Sequence, residues 1–423
     1  MGNSVVFYRV GTVPNPLKSS ISLSDLKKEV GTLKNELFQA LDKLAPELTT
    51  MADFIFDHPE IGLQEHKASA LLCDYLENQG FCVERGVGGF DTAFRATYEK
   101  GKNGVSFGLL CEYDALEDQG HACGHHVQGP AVVGAVVALK GLLTDKPFKI
   151  VVYGTPAEET ISGKITMMKN GCFQDIDIAL MMHLSSETCV DVKSMALSKF
   201  TVTFHGQAAH AALKPEAGKG ALDALILSFQ GLEFMREHVQ DDVRIHYTVL
   251  DAGGPANTVS PRAVGSFYVR SYNRTYLNDV VRRFYNVMKG AALMTDTTVE
   301  IHLDKEVDSK IPVISLNDLL MANAKAVNAP EIKPPREKTG STDFGNVMYK
   351  VPGSCIRVSF VPGGVASHSQ EYLDAGKSQA AHDALLYGAK IMAGTCYDLL
   401  EEEGTLERVL SEFKQNQIAA LKI

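Results

Sequence analysis

The segment Val105-Ser-Phe-Gly-Leu-Leu-Cys-Glu-Tyr-Asp114 is a largely apolar run that ends in two carboxylates. Without polar alternation, a run of this length reads as a strand buried on both faces. Its polar end then falls at the strand's C-terminal tip, where open α/β sheets bind ligands. The arrangement recurs three times. Lys149-Ile-Val-Val-Tyr153 runs into Gly154-Thr-Pro-Ala-Glu-Glu159, and Ile176-Asp-Ile-Ala-Leu-Met-Met182 runs into His183. Ser354-Cys-Ile-Arg-Val-Ser-Phe360 is followed by a glycine-containing loop that carries His368. Helical patterns at residues 130–143 and 165–170 alternate with these strands. The order predicts an α/β fold, a mainly parallel sheet with helices on both faces.

Upstream, residues 1–20 read as an irregular arm. A helical pattern runs from Ser24 through Leu41, and a second one after Pro46 to about Phe56, with the proline expected to separate them. Residues 65–79 form an amphipathic helix closed by Gly80, and 81–85 and 92–98 are short strands. Between 195 and 304 the pattern changes to strand 196–204, helix 219–238, strands 243–250 and 263–272, helix 276–293 and strand 297–303. That order is the split βαβ, ferredoxin-like unit. It predicts an inserted α+β domain, with residues 21–194 and 305–423 forming the metal-binding domain around it. Helices at 317–327 and 377–400 complete the chain.

At 423 residues the chain is long for one core, and 45% hydrophobic with 22% charged residues is ordinary globular composition. A net charge of −10 argues against nucleic acid and anionic membrane surfaces as partners. No apolar stretch has the length of a membrane span. The N-terminal residues lack the basic start and apolar middle of a signal peptide. Eight cysteines without a framework of short spacings point to reduced thiols and a cytoplasmic location.

The densest set of metal-type ligands is Gly120-His-Ala-Cys-Gly-His-His-Val-Gln-Gly129. Cys123 and His125 can place a thiolate and an imidazole on one ion, a pair suited to zinc and its neighbours. Taken singly, each candidate has a plainer reading. Cys123 can be a buried thiol, Glu158-Glu159 a solvated acidic turn, His183 a bonded core histidine and His368 a mobile surface residue. Their shared position at four strand ends favours a common site. Cys123, His125, Glu159, His183 and His368 supply five ligand types, enough to hold two ions about 3.5–4 Å apart with one ligand bridging. Two adjacent carboxylates near such ions take separate roles, one as ligand and one as general base.

Leu110-Cys-Glu-Tyr-Asp-Ala-Leu116, Gly120-His-Ala-Cys-Gly-His125 and Thr155-Pro-Ala-Glu-Glu159, with Gly163-Lys164 and Met168 behind it, form one ordered set of motifs. Gly206-Gln-Ala-Ala-His-Ala-Ala212 and Gly220-Ala-Leu-Asp-Ala224 extend it. From about His58 to Gly388 the chain resembles the metallo-aminoacylase, carboxypeptidase G and auxin-conjugate hydrolase family. Ser341-Thr-Asp-Phe-Gly-Asn-Val347 looks most like the subgroup of p-aminobenzoyl-glutamate hydrolase subunits and β-alanyl-lysine-type dipeptidases. The resemblance implies a catalytic α/β domain with an inserted lid that dimerises, and two divalent metal ions per subunit, zinc or manganese first, then cobalt or nickel. It implies Cys123, His125, Glu159, His183 and His368 as metal ligands, with Cys123 as the bridge. Glu158 takes the place of the general base acting on a metal-bridged water, and Asp114 that of a carboxylate that orients a ligand. His210 corresponds to a residue that reaches a partner subunit's site and stabilises the oxyanion. Asn257 and Arg270 correspond to residues that hold the substrate's carboxylate. The plainer readings are a polar loop residue for His210, a turn cap for Asn257 and an edge charge for Arg270. His126 departs from the pattern, standing where many relatives have Asp or Asn.

The resulting expectation is a metal-dependent amidohydrolase, of aminoacylase or dipeptidase type. Its substrate is an N-acyl amino acid or small dipeptide with a free carboxylate, and the chain is a homodimer or higher homo-oligomer. Two rivals remain: a cysteine hydrolase with Cys123 as nucleophile, and a non-catalytic family member acting as a subunit or binding partner.

Overall fold

The four apolar runs form the parallel centre of one sheet, and the computed structural model shows what surrounds them. It describes residues 23–422 apart from 143 and 338; the expected arm at residues 1–20 lies outside the described residues. In chain order come α1 (Leu23–Asp57), α2 (His66–Asn78), β1 (Cys82–Arg85), β2 (Phe94–Lys100), β3 (Val105–Cys111), α3 (Gln128–Lys140) and β4 (Phe148–Gly154). The single turn α4 (Glu158–Ile161), α5 (Gly163–Lys169), β5 (Ile178–Ser185) and β6 (Cys189–Val190) follow. Next are β7 (Ala196–His205), α6 (Ala221–Arg236), β8 (Arg244–Asp251), β9 (Arg262–Ser271), α7 (Arg274–Met294) and β10 (Thr298–Val307). The chain closes with α8 (Ile314–Ala326), α9 (Phe344–Lys350), β11 (Gly353–Ser359), α10 (Gln370–Asp374), α11 (Gln379–Glu401) and α12 (Thr405–Ala420).

The first sheet has seven strands in the order β1-β2-β4-β3-β5-β11-β6. β4, β3, β5 and β11 pair in parallel, and the edge pairings are antiparallel. β3 and the first five residues of β5 are almost wholly apolar because both faces are covered. On one side Leu109, Leu180 and Ile356 join a core with α1, α3 and α11. On the other, Leu110, Ala179 and Met181 pack with Met167 of α5 and Val347 of α9. α3 is apolar on all sides and nearly all buried, as a helix enclosed by the sheet and other helices must be. Gly134 lets α1 approach it, since a Cβ there would lie 2.5 Å from Leu48 Cδ1. The mainly parallel sheet with helices on both faces is therefore present.

β7, β8, β9 and β10 form a separate antiparallel sheet in the order β10-β7-β9-β8. With α6 and α7 this is the ferredoxin-like β-α-β-β-α-β unit. β7 alternates cleanly: Phe200, Val202 and Phe204 pack under α6 and α7, while Lys199, Thr201 and Thr203 point the other way. β10 lies beside β7, with Val307 opposite Leu197, so the chain enters and leaves this sheet through neighbouring strands. Arg274 secures that junction, its guanidinium reaching Leu197 O at 3.0 Å and Asp308 Oδ1 at 3.0 Å.

Several elements differ from the sequence expectation. α1 is one helix with Pro46 inside it, not two segments. Leu41 before the proline and Leu48 and Met51 after it are all buried in the same core, and that packing outweighs the missing backbone donor. His183 lies within β5, paired with Arg357, rather than beyond the strand's end. α9, α10 and α12 were not anticipated. Among the described residues no helix is long and apolar enough to cross a membrane.

Pro46 is exposed, so replacing it costs no packing. Pro46→Ala should raise unfolding stability by about 1–3 kcal/mol, because a proline in a helix interior costs roughly 3 kcal/mol against alanine. Urea unfolding of both proteins measures it, and a destabilised variant would contradict a continuous α1.

Candidate metal centre

The parallel register sets Cys111 beside Gly154, which brings the loop after β3 next to the loop after β4. The first loop carries Glu112, Asp114, Cys123 and His125; the second carries Glu158 and Glu159. Gly124 has a φ of 84°, and a Cβ there would press on Leu184 at 3.0 Å, so the Cys123–His125 turn needs a glycine. Ala157 (φ 59°) and Ser162 (φ 58°) bracket the single turn α4 in left-handed backbone, and His368 (φ 67°) is left-handed too. Each such residue costs on the order of 1–3 kcal/mol and persists only where its surroundings hold it. Here the Ala157 N–H donates to buried Glu65 at 2.8 Å, and the His368 N–H donates to Ala122 O at 2.9 Å.

The five proposed ligands converge. Donor atoms of Cys123, His125 and His183 all lie within 4.8 Å of one another, and so do those of Cys123, Glu159 and His368. Cys123 belongs to both triads. Cys123 Sγ is 3.6 Å from His183 Nε2, and Glu159 Oε1 is 3.4 Å from His368 Nε2 and 4.0 Å from His125 Nε2. The histidine tautomers suit ligation. His125 Nδ1 faces the backbone oxygen of Asp114 at 3.1 Å and its Oδ1 at 3.2 Å, so that nitrogen carries a proton and Nε2 is turned to the donor cluster, 3.3 Å from Glu112 Oε2. His183 Nδ1 donates to Leu184 O at 2.7 Å, leaving its Nε2 free. Asp114 also accepts the Glu159 N–H at 3.0 Å, so one carboxylate orients donors from both loops. Glu159 Oε1 is buried and has no hydrogen-bond partner. A buried, unsatisfied carboxylate oxygen among histidines and a thiol is a fit for a divalent cation.

Beside this cluster lies a network to which the sequence reading gave no role. Lys164, fully buried, donates to Glu112 Oε1 at 2.5 Å and to Asp343 Oδ1 at 2.8 Å. Carboxylate oxygens of Glu112, Glu158 and Asp343 lie within 4.8 Å of one another. Burial opposes ionisation of Glu112, but Lys164 and His125 hold its carboxyl down at about 2. Glu158 goes the other way: burial, then the charges of Glu112 and Asp343, push it well above the usual carboxylate value. Burial also pushes the Cys123 thiol up to about 12, the opposite of an activated cysteine nucleophile. The signal for Lys164 and Asp343 was in the motifs already quoted, Gly163-Lys164 and Ser341-Thr-Asp343.

A cavity of about 560 Å³ joins the donor cluster to the four-stranded sheet. Cys123, Glu158, Glu159, His183 and His368 line it on one side, and Lys199, Tyr268, Arg270 and Lys305 on the other. Arg270 is therefore at the site. His210 and Asn257 are not: both are exposed, on adjoining loops where the Ala211 N–H donates to Asn257 O at 3.0 Å, and neither lines the cavity. His126 is buried away from the donors, giving its Nε2 proton to Gly376 O at 2.8 Å and meeting Phe56 edge-on at 4.9 Å. His121 packs beside it, 5.4 Å between ring centres.

Residues 101–398 match the model of peptidase family M20/M25/M40. The Xaa-Arg dipeptidase of Mus musculus is 32% identical over 403 residues, covering 91% of this chain and 93% of that protein. A subunit of the p-aminobenzoyl-glutamate hydrolase of Escherichia coli (strain K12) is 30% identical over 444 residues, covering 87% and 92%. Among solved structures, a dinuclear metal-binding M20 peptidase of Bacillus subtilis superposes with a TM-score of 0.67 at 17% identity, covering 85% of this chain and 99% of that one.

Burial holds His126 down at about 4 and His183 at about 3. In the unfolded chain both take up protons near pH 6.5. The stability their neutral forms contribute is therefore present above pH 6.5 and is lost as pH falls toward 4 and 3. For metal-free protein the loss is about 1.4 kcal/mol per pH unit for each histidine. Unfolding by urea between pH 7 and 5 should show a shallower slope for His126→Asn than for the wild type; equal slopes would contradict a neutral, buried His126.

Proposed function

The chain belongs to peptidase family M20/M25/M40, whose members are metal-dependent hydrolases, and from that premise we propose that it is a two-metal amidohydrolase cleaving N-acyl amino acids or small dipeptides with a free carboxylate. One observation carries the reading: Cys123 is shared by two donor triads, and Glu159 Oε1, buried and unpartnered, sits in one of them. Cys123, His125, Glu159, His183 and His368 would hold the ions, zinc or manganese before cobalt or nickel. Divalent ions at such a centre lower the pKa of water and polarise a carbonyl.

The protein's own groups do the rest. Glu158 accepts a proton from the attacking water and returns it to the leaving amine. Its raised affinity for a proton suits it to both halves of that transfer near neutral pH. Lys164 anchors Glu112 and Asp343, so the neighbouring charges that tune Glu158 stay in place. Arg270, half-buried on the cavity wall, offers a fork for the substrate's carboxylate. His210 and Asn257 lie outside the cavity of their own chain. In this reading they serve the site of a second copy, where His210 donates to the oxyanion of the tetrahedral intermediate. The inserted unit, residues 195–304, is then a lid and dimerisation domain.

The high affinity of Cys123 for its proton disfavours the cysteine-hydrolase alternative. A non-catalytic subunit has no need for the full donor set together with Glu158.

Glu158→Gln should keep its metal content, measured by elemental analysis, and lose at least a thousandfold in turnover. Turnover near the wild-type rate would remove Glu158 from its role. A subunit-mixing experiment tests the trans arrangement. Glu158→Gln and His210→Ala proteins, each nearly inactive alone, should regain activity when dissociated and reassembled together, because a mixed dimer holds one intact composite site. Failure to regain activity, with mixed dimers present by native mass spectrometry, would place His210 outside the partner's site.

A further inference from the structure

One buried polar group close to the donor cluster has no part in the reaction described above. Tyr372, on α10 just after His368, is 2% exposed, and its hydroxyl has no hydrogen-bond partner among the described residues. It does not line the cavity. A buried hydroxyl left unpaired costs stability, so a native structure that keeps one calls for a reason. The ring is held where it is. It meets Phe360 edge-on at 4.6 Å between centres. Ser369 Oγ accepts the Tyr372 N–H at 3.3 Å and donates to Ala366 O at 2.7 Å, which fixes the backbone beneath the ring.

α10 is docked on the turn that carries Cys123. The His368 N–H donates to Ala122 O at 2.9 Å, immediately before Cys123, and His126 Nε2 donates to Gly376 O at 2.8 Å just beyond α10. Between them Leu373 lies over Gly120, where a Cβ would be 3.7 Å from Leu373 Cδ1. Tyr372 is thus enclosed between the two ligand loops. Burial first, then the neighbouring sulfur of Cys123, holds its proton on well past the usual tyrosine range, and the other charges that act on it are Arg357 and His125. The hydroxyl therefore remains a donor beside Cys123. A cysteine that holds metal does so as a thiolate, which puts charge on a buried sulfur. The donor atoms gathered around that sulfur, His183 Nε2 at 3.6 Å and those of His125, Glu159 and His368, all belong to proposed ligands facing the same ions. None of them is left to give the sulfur a proton-bearing partner.

We infer that the Tyr372 hydroxyl is the outer partner of Cys123, donating a hydrogen bond to its sulfur when ions are bound and so strengthening the hold of the centre on them. This rests on the two-metal reading above and adds to it a residue outside the ligand set. Tyr372 is a positioning residue: it acts through Cys123 and touches neither substrate nor ion. Partners of this kind orient a ligand and tune what it binds.

Tyr372→Phe keeps the ring and its packing on Phe360 and removes one oxygen. Metal-free wild-type and variant proteins are titrated with Co(II) against a chelating indicator, and the absorption of the loaded proteins is recorded. The variant should bind Co(II) about 10–100-fold more weakly. Its sulfur-to-cobalt charge-transfer band should move to lower energy, because a hydrogen bond to the sulfur holds the sulfur electrons more tightly. Urea unfolding of the metal-free proteins separates this from a structural role: the variant should be at least as stable as the wild type, having lost an unpartnered hydroxyl. A variant that is less stable without metal, with the charge-transfer band unmoved, would make Tyr372 a packing residue and overturn the inference. So would unchanged affinity together with an unchanged band. No Co(II) binding by the wild type removes the two-metal reading and this inference with it. Binding by the wild type with a band that ignores the substitution removes this inference alone.

Discussion

A single ammonium group, that of Lys164, is buried behind carboxylates that line the cavity. Glu112 and Asp343 bind it directly, and Glu158 lies within reach of both. Glu159 adds a fourth carboxylate nearby, with one oxygen unsatisfied. Two like charges 4 Å apart repel by about 4 kcal/mol at an effective dielectric of 20. One lysine does not neutralise four such groups. The folded chain resolves the excess in two ways: Glu158 favours its protonated form, and the Glu159 side presents donors to cations. Folding and ion binding are therefore linked, because ions that bind only the folded state shift the equilibrium toward it. The left-handed residues flanking α4 belong to the same balance, since their strain persists only while Glu65 and the docked His368 loop restrain them.

Much of this was legible in the residues. Val105–Cys111 reads as a buried strand because its apolar run is continuous, and a strand covered on both faces leaves that signature. The convergence of Cys123, His125, Glu159 and His368 was legible because they follow such strands, and His183 joins them from within the last residues of β5. α1 was not, since the local rule for proline at position 46 is overruled by contacts with α3 and α11, which are distant in sequence. The part played by Lys164 was hidden for a similar reason. Its partners Glu112 and Asp343 are 52 and 179 residues away, and an isolated Lys in a Gly-Lys pair looks like surface. His126 illustrates the reverse: a residue conspicuous beside the metal-type ligands turns out to bond Gly376 and pack on Phe56.

The cavity is polarised. Its floor carries carboxylates and soft or borderline donors, and its roof carries cations supplied by a separate sheet. Under the proposed hydrolase reading, that field draws the anionic end of the substrate to the roof and leaves its carbonyl toward the floor before any specific bond forms. The two walls come from chain segments that fold around different cores. Their relative position, and with it the strength of the field, is set by few contacts, of which Arg274 on Asp308 is one.

The adjacency of β7 and β10 has a kinetic meaning. β5 and β11 pair in parallel across the centre of the seven-stranded sheet, yet the chain between Ser185 and Gly353 includes the whole four-stranded unit. Closing so long a loop before any contact rewards it slows folding. The four-stranded unit shortens the problem. Once it has formed, residues 197 and 307 are neighbours, and more than a hundred residues no longer count toward the loop. The inserted unit thus acts as a shortcut in the folding of the sheet that surrounds it, and it is the contacts within β7 and β10 that set how early the central pairing becomes accessible.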